Sequence, residues 1–208
     1  VRADIVVLAV PAHQAAGILE PLDPELTRLL RQILYAPLAV VGLGFPAEQT
    51  PGPMDGFGFL VPYREGLPVL GSLWTSSIFP HRAPEGMQLT RNMVGGWRNG
   101  WTLACDDEEM EAIVLEVLEK ALRGRGTVGF RKVVRHPEAI PLYTIGHEAR
   151  LQETAKRLAR FPGLYLTGNA YRGVALNDCT REAERVARQV EADLLGAGVP
   201  WGNDHGRD

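Results

Sequence analysis

The residues best placed to do chemistry fall in one run, 164–180, LYLTGNAYRGVALNDCT. Its order is a short apolar strand, a turn bearing Gly168 and Gly173, and the start of a helix near Asp178. A glycine lets backbone approach a flat ligand with no Cβ in the way, and the free N–H groups of a helix start carry partial positive charge. Such a segment can cradle an electron-rich or anionic group. By residue type alone it is equally an ordinary strand-turn-helix, since small glycine turns before helices are common in α/β folds.

Other reactive residues are less organised. His13, His147 and Glu148 lack the paired spacing of a metal site, no HExxH run occurs, and no Ser-His-Asp order is present, so neither metal binding nor hydrolysis is expected. Cys179 stands near a helix N-terminus, a place that lowers a thiol pKa, but reads as a small packing residue. The run 42–47, GLGFPA, fits the GxGxxA of a dinucleotide-binding turn and follows a strand-like stretch. Pro46 and the following EQTPGPMD cannot supply the helix that would receive a pyrophosphate, so a strand-end turn is expected there.

These residues need elements to position them. Asp4 to Val10 is a β-branched run, as in a strand covered on both faces, and Pro11 leads into a helix through Leu19. Asp23-Pro24 starts a second helix whose Leu26, Leu29, Leu30, Ile33 and Leu34 repeat at helical spacing until Pro37. The period then changes: strand-like segments at 38–42, 57–61, 68–74 and 88–94, separated by Gly and Pro, predict an antiparallel sheet. Asp106 or Asp107 caps a helix with an apolar stripe from Met110 to Ala121, ended by Gly124. A strand at 128–134 follows, with Pro137 and Pro141 stiffening the connection to a polar helix near 148–160. The last helix, 178–195, is expected to turn Ala183, Val186, Ala187, Val190 and Leu194 inward, and a disordered tail follows Gly196.

The chain has 208 residues, 45% of them apolar, which is enough for a sizeable core. A net charge of -3 with both signs interspersed gives no footprint for nucleic acid, so small molecules are the expected partners. Two cysteines, Cys105 and Cys179, without CxxC spacing fit a reducing cytoplasm. The apolar run 5–12 is too short to span a bilayer, although peripheral membrane contact stays open. Val1-Arg-Ala-Asp lacks a Met start and enters a strand directly, as if the chain began within a longer protein.

With its elements placed, the cradle motif GNAYRGVALNDC resembles the C-terminal FAD-binding motif of the protoporphyrinogen oxidases, within the wider amine oxidase and phytoene desaturase superfamily. ADIVVLAVPAH, GFGFLVPYREG, GSLWTSSIFPHRAPEG and AIPLYTIGH resemble other stretches of that family, in the family's order, so that the resemblance covers about residues 4–195. It covers only the second half of a family member, without the half that holds the glycine-rich turn over the FAD pyrophosphate.

The resemblance implies an α/β (α+β) fold: part of an FAD-binding Rossmann-like domain with an inserted antiparallel-sheet substrate lobe. Residues 1–22 would be an FAD-domain strand and helix, 23–147 the substrate lobe with its helix, 148–195 the returning FAD-binding segment and 196–208 a tail. It further implies FAD bound by Gly168, Asn169, Val174, Ala175 and Leu176, with the last three against the isoalloxazine. The implied substrate is a porphyrinogen lying against Leu60, Leu73 and Met93, with oxygen as the terminal acceptor and no catalytic acid or base assigned. Arg64, His81 and Arg82 would be propionate partners or simply solvated charges. His136 departs from the family, where a tryptophan commonly contacts the flavin. Protoporphyrinogen IX oxidation in haem biosynthesis is the expected activity; coproporphyrinogen oxidation and a non-catalytic fragment or binding module are the alternatives. A homodimer stays open.

Overall fold

The computed structural model describes residues 3–196; the expected tail beyond Gly196 lies outside them. In chain order the elements are β1 (Val6–Leu8), α1 (Ala12–Leu19), α2 (Pro24–Arg31), β2 (Tyr35–Pro46), β3 (Gly58–Leu60), β4 (Val69–Trp74), α3 (Thr75–Ile78), β5 (Met87–Gly95), α4 (Asp107–Leu122), β6 (Phe130–Pro141), α5 (His147–Leu158), β7 (Leu164–Leu166) and α6 (Leu176–Leu194). They form two compact units, one of residues up to 34 and from 141 onward, the other of residues 35–140. The cuts fall after Leu34 and Ile140, so α2 belongs with the first unit and not with the antiparallel lobe in which residues 23–34 were expected.

In the discontinuous unit, β1 and β7 pair in parallel, with Val6, Val7 and Leu8 opposite Leu164, Tyr165 and Leu166. Helices α1 and α2 pack through Ala12, Ala15, Ala16, Leu26, Leu29 and Leu30, all buried. The Asp23 carboxylate explains why α2 starts where it does, accepting the N–H groups of Glu25 and Leu26 ahead of Pro24 at the first helical position. From α5, Arg157 reaches the same carboxylate at 3.2 Å.

Two expectations fail here. The run in β1, which pairs with β7, is not covered on both faces by the described residues: Val6 and Val7 are each 44% exposed. The inward face of α6 keeps Val186 as expected but is otherwise shifted, with Glu182 and Gln189 buried while Ala183 and Ala187 are exposed and Leu194 is 65% exposed. The cause is electrostatic. Glu182 lies inside and pairs with Arg185 at 2.7 Å and with Arg172 at 3.4 Å, so the helix turns its charged pair inward instead of its alanines.

The other unit is a five-stranded antiparallel sheet of order β3-β4-β5-β2-β6 with α4 on one face. Asp106 caps α4 in a reciprocal box with Glu109, and Met110, Val114, Val117 and Leu118 bury against Ala39, Val41, Leu43, Phe45, Val69 and Val94. Strand β2 runs unbroken through Gly42-Leu43-Gly44-Phe45-Pro46 and is followed by a single 3-10 turn, so the GLGFPA run is strand and not a nucleotide turn. Pro137 and Pro141 lie within β6 rather than in a connection; β6 is an edge strand, where a missing N–H is tolerated.

Candidate functional site

The cradle begins at β7, where Leu166 is buried and the Thr167 N–H donates to the carbonyl of Leu8. Gly168 then adopts φ +126°, a conformation L side chains rarely adopt, and a Cβ built there meets nothing nearer than the Ala9 carbonyl oxygen at 4.0 Å. The glycine is required by backbone conformation, and the space beside it is open. Gly173 differs. At φ +123° its absent Cβ would fall 2.3 Å from Cβ of Asp178, so both conformation and close approach demand glycine.

Between them, the loop is pinned from outside. The Tyr143 hydroxyl accepts the Gly173 N–H at 2.6 Å and donates to the Asn169 carbonyl at 2.8 Å. Its ring stacks on His147 at 4.1 Å, and Nε2 of that histidine lies 3.0 Å from the Tyr171 carbonyl. Burial, partly offset by the Gly173 N–H, pushes the Tyr143 phenol above its ordinary pKa, so at neutral pH it keeps the proton it donates. Neither residue was expected at the site. The signal available was their place in AIPLYTIGH, a stretch tied to the cradle by resemblance only.

Helix α6 starts at Leu176, two residues before the expected Asp178. Asp178 reaches back to accept the Ala175 N–H at 3.2 Å and pairs with Arg181. A carboxylate therefore already occupies part of the positive helix end, leaving the remaining first-turn N–H groups to act on a ligand. Val174 and Leu176 are 43% and 82% exposed, an apolar surface at a helix N-terminus. Open backbone at Gly168, apolar side chains and a positive helix end fit a flat, electron-accepting ring such as a flavin, and these groups would hold it here. Cys179 is a half-buried free thiol, and burial pushes the Cys105 thiol up in pKa, which makes it a poor nucleophile.

The residues expected against the substrate meet on one surface. Leu60 of β3 pairs with Gly71 of β4, Gly71 with Met93 of β5, and Met93 with Val40 of β2, giving one row across the sheet. Leu73, two residues beyond Gly71, shares that face. It is the face opposite α4, since Val41, Asn92 and Val94 on the alternate positions are buried. A Cβ on Gly71 would sit 2.9 Å from Leu60 Cδ2, so the glycine makes the room in which the Leu60 side chain lies. Leu60 is 76% exposed, Leu73 and Met93 partly so: the face is open.

Arg64, His81 and Arg82 are exposed on 3-10 turns outside these strands, with Arg82 over the Phe79 ring. His136 is exposed in β6. Among the described residues no three His, Cys, Asp or Glu side chains gather as a metal site would require.

The sequence profile of flavin containing amine oxidoreductases matches residues 1–191, and the chain belongs to that family, whose cofactor is FAD. It is 34% identical over 200 residues to protoporphyrinogen oxidase 1, chloroplastic, of Arabidopsis thaliana, covering 91% of this chain and 37% of the relative. It is 34% identical over 178 residues to coproporphyrinogen III oxidase of Bacillus subtilis, covering 85% and 37%. A solved protein of Exiguobacterium sp. 255-15 shares 30% identity with a TM-score of 0.75, over 92% of this chain and 42% of that one. Cyclohexylamine oxidase of Brevibacterium oxydans shares the fold, with a TM-score of 0.70 at 15% identity over 94% of this chain and 44% of that one. The chain thus spans well under half the length of these relatives.

Proposed function

We propose that the protein carrying this chain oxidises protoporphyrinogen IX to protoporphyrin IX, as a step of haem formation. The observation that carries this reading is the open apolar row of Leu60, Gly71 and Met93 with Leu73 beside it, a flat wall suited to the face of a tetrapyrrole. Burial of apolar ring surface, worth roughly 25 cal/mol per Å², supplies most of the binding there. The flavin, when bound, supplies acceptance of two electrons per step, with oxygen as the final acceptor. Each step takes two hydrogens from the macrocycle, one as hydride and one as a proton. The chain's own contributions are orientation and exclusion of water: Leu60, Leu73 and Met93 seat the substrate, and Val174 and Leu176 offer apolar surface to the isoalloxazine while the start of α6 favours negative charge on the reduced ring.

Coproporphyrinogen oxidation is the second reading, supported by the Bacillus subtilis relative at the same identity. We place the protein in the cytoplasm, where the two free cysteines would stay reduced, with exposed Trp97 and Trp101 as the residues that support peripheral contact with a membrane.

The test is appearance of porphyrin fluorescence. The protein, given FAD and protoporphyrinogen under air in the dark, should form porphyrin well above the rate of autoxidation, and Met93→Asp should slow it at least tenfold. A rate equal to autoxidation overturns the reading; a higher rate on coproporphyrinogen moves it to the second. The 208-residue chain mixed with FAD and desalted tests the binding-module reading, which a retained stoichiometric yellow chromophore overturns.

A further inference from the structure

The open face of the five-stranded sheet carries charge as well as apolar surface. Next to the row of Leu60, Gly71, Met93 and Val40 runs a second row. Arg91 of β5 stands opposite Leu73 of β4 on one side and Gly42 of β2 on the other. Beyond Gly42 lies Lys132 of β6, whose Cβ would be 4.0 Å from a Cβ built on that glycine, on the same face. The row therefore reads Leu73, Arg91, Gly42, Lys132 across four strands, with two cations flanking a residue that has no side chain. Neighbouring strands lie about 4.8 Å apart, which sets the two cationic stems about 10 Å from each other.

Basic residues on a strand are usually matched locally or simply solvated, and the opposite face of the same sheet shows what matching looks like. Arg131 pairs with Glu111 at 3.1 Å, and Arg135 pairs with Asp107 at 2.7 Å and donates to the Cys105 carbonyl at 2.7 Å. Both carboxylates come from α4. On the open face, the exposed side chains of Arg91 and Lys132 form no ion pair or hydrogen bond among the described residues. The open-face positions of β2 to β5 carry no carboxylate: they hold Leu60, Gly71, Leu73, Leu89, Arg91, Met93, Val40, Gly42 and Gly44. Two unmatched cations thus border an apolar wall on a sheet whose other cations are all but consumed.

We propose that Arg91 and Lys132 form the carboxylate site of this wall, receiving two propionates of a tetrapyrrole whose ring lies on Leu60, Leu73 and Met93. This rests on the reading of that wall as a macrocycle surface. The guanidinium of Arg91 offers two parallel N–H groups to one carboxylate, and the ammonium of Lys132 meets the other as a point charge. Gly42 keeps the strip between them clear, so the propionate chains can lie against β2. The site fixes which edge of the ring is held, and so which carbons are presented.

The test uses the intact 208-residue chain with two oxidised, fluorescent probes, protoporphyrin IX and its dimethyl ester, which differ only in the carboxylates. At low salt the wild-type chain binds the diacid about tenfold more tightly than the ester. Arg91→Ala and Lys132→Ala each weaken diacid binding several-fold, the double variant abolishes the preference, and ester binding stays within about twofold throughout. Arg91→Lys retains part of the preference. Circular dichroism reports that the variants, all at exposed positions, are folded. A wild-type chain that binds acid and ester equally, or a double variant that keeps the preference, overturns the carboxylate site while leaving the apolar wall standing. Binding of neither probe overturns both.

Discussion

The phenol of Tyr143 and the backbone N–H of Gly173 lie 2.6 Å apart, and the same phenol holds the Asn169 carbonyl. One side chain thus ties both ends of the turn that resembles a flavin cradle, and fixes it before any ligand arrives. Tyr143→Phe keeps the ring on His147 and removes both bonds, at a cost of about 1 to 2 kcal/mol. FAD titration of the protein should show affinity lower by roughly tenfold, and the thermal midpoint should fall by a few degrees. Unchanged affinity would show that the turn holds its shape without the phenol.

The two glycines of that turn separate conformation from contact. Gly168→Ala places a methyl in open space and incurs only the positive-φ strain, about 1 to 2 kcal/mol. Gly173→Ala adds a collision with Asp178 and should destabilise more, shifting the α6 start as well. Denaturant midpoints of the two variants, measured side by side, check the order; the reverse order would contradict the geometry.

Asp23 links the α2 start to α5. Hydrogen bonding, first from the Leu26 N–H, holds its carboxyl below the ordinary 3.8 despite burial acting the other way. A depressed carboxyl stabilises the fold above its unfolded pKa and loses that contribution as pH falls through the folded one. Asp23→Ala should therefore lower stability by about 1 to 2 kcal/mol at neutral pH and flatten the acid limb below pH about 4, as read by urea unfolding across pH.

Tyr165 gives the alkaline counterpart. Burial and a hydrogen bond to Asp193 push its phenol up to about 12. A raised pKa contributes stability below the unfolded value of about 10, lost as pH climbs through the folded value. Unfolding midpoints should decline between those two pH values in the wild type and less steeply in Tyr165→Phe.

Where side-chain period reports burial, the fold was legible: the Asp106 cap and Met110 stripe give α4, and alternation gives β4 and β5. The same rule misled for α6, because an ion pair at Glu182 decides its inward face and ion pairs leave no hydrophobic period. Leu60, Leu73 and Met93 were found by resemblance, but their shared face needed the register through Gly71. Arg91 and Lys132 became visible only once β2 was seen to place Gly42 between them. Tyr143 gives no periodic signal at all, its partner being thirty residues on.

The interruption of one unit by the other has a kinetic side. Val6 finds Leu164 only across most of the chain, whereas the antiparallel sheet forms from strands much closer in sequence. Once that sheet has formed, its two ends are already adjacent, for the Leu142 N–H donates to the Leu34 carbonyl at 2.8 Å. The loop that β1 and β7 must close then shrinks to their immediate flanks, and closure entropy falls with it. During synthesis β1 emerges well before its partner β7 and waits as an apolar strand until residues beyond 164 arrive.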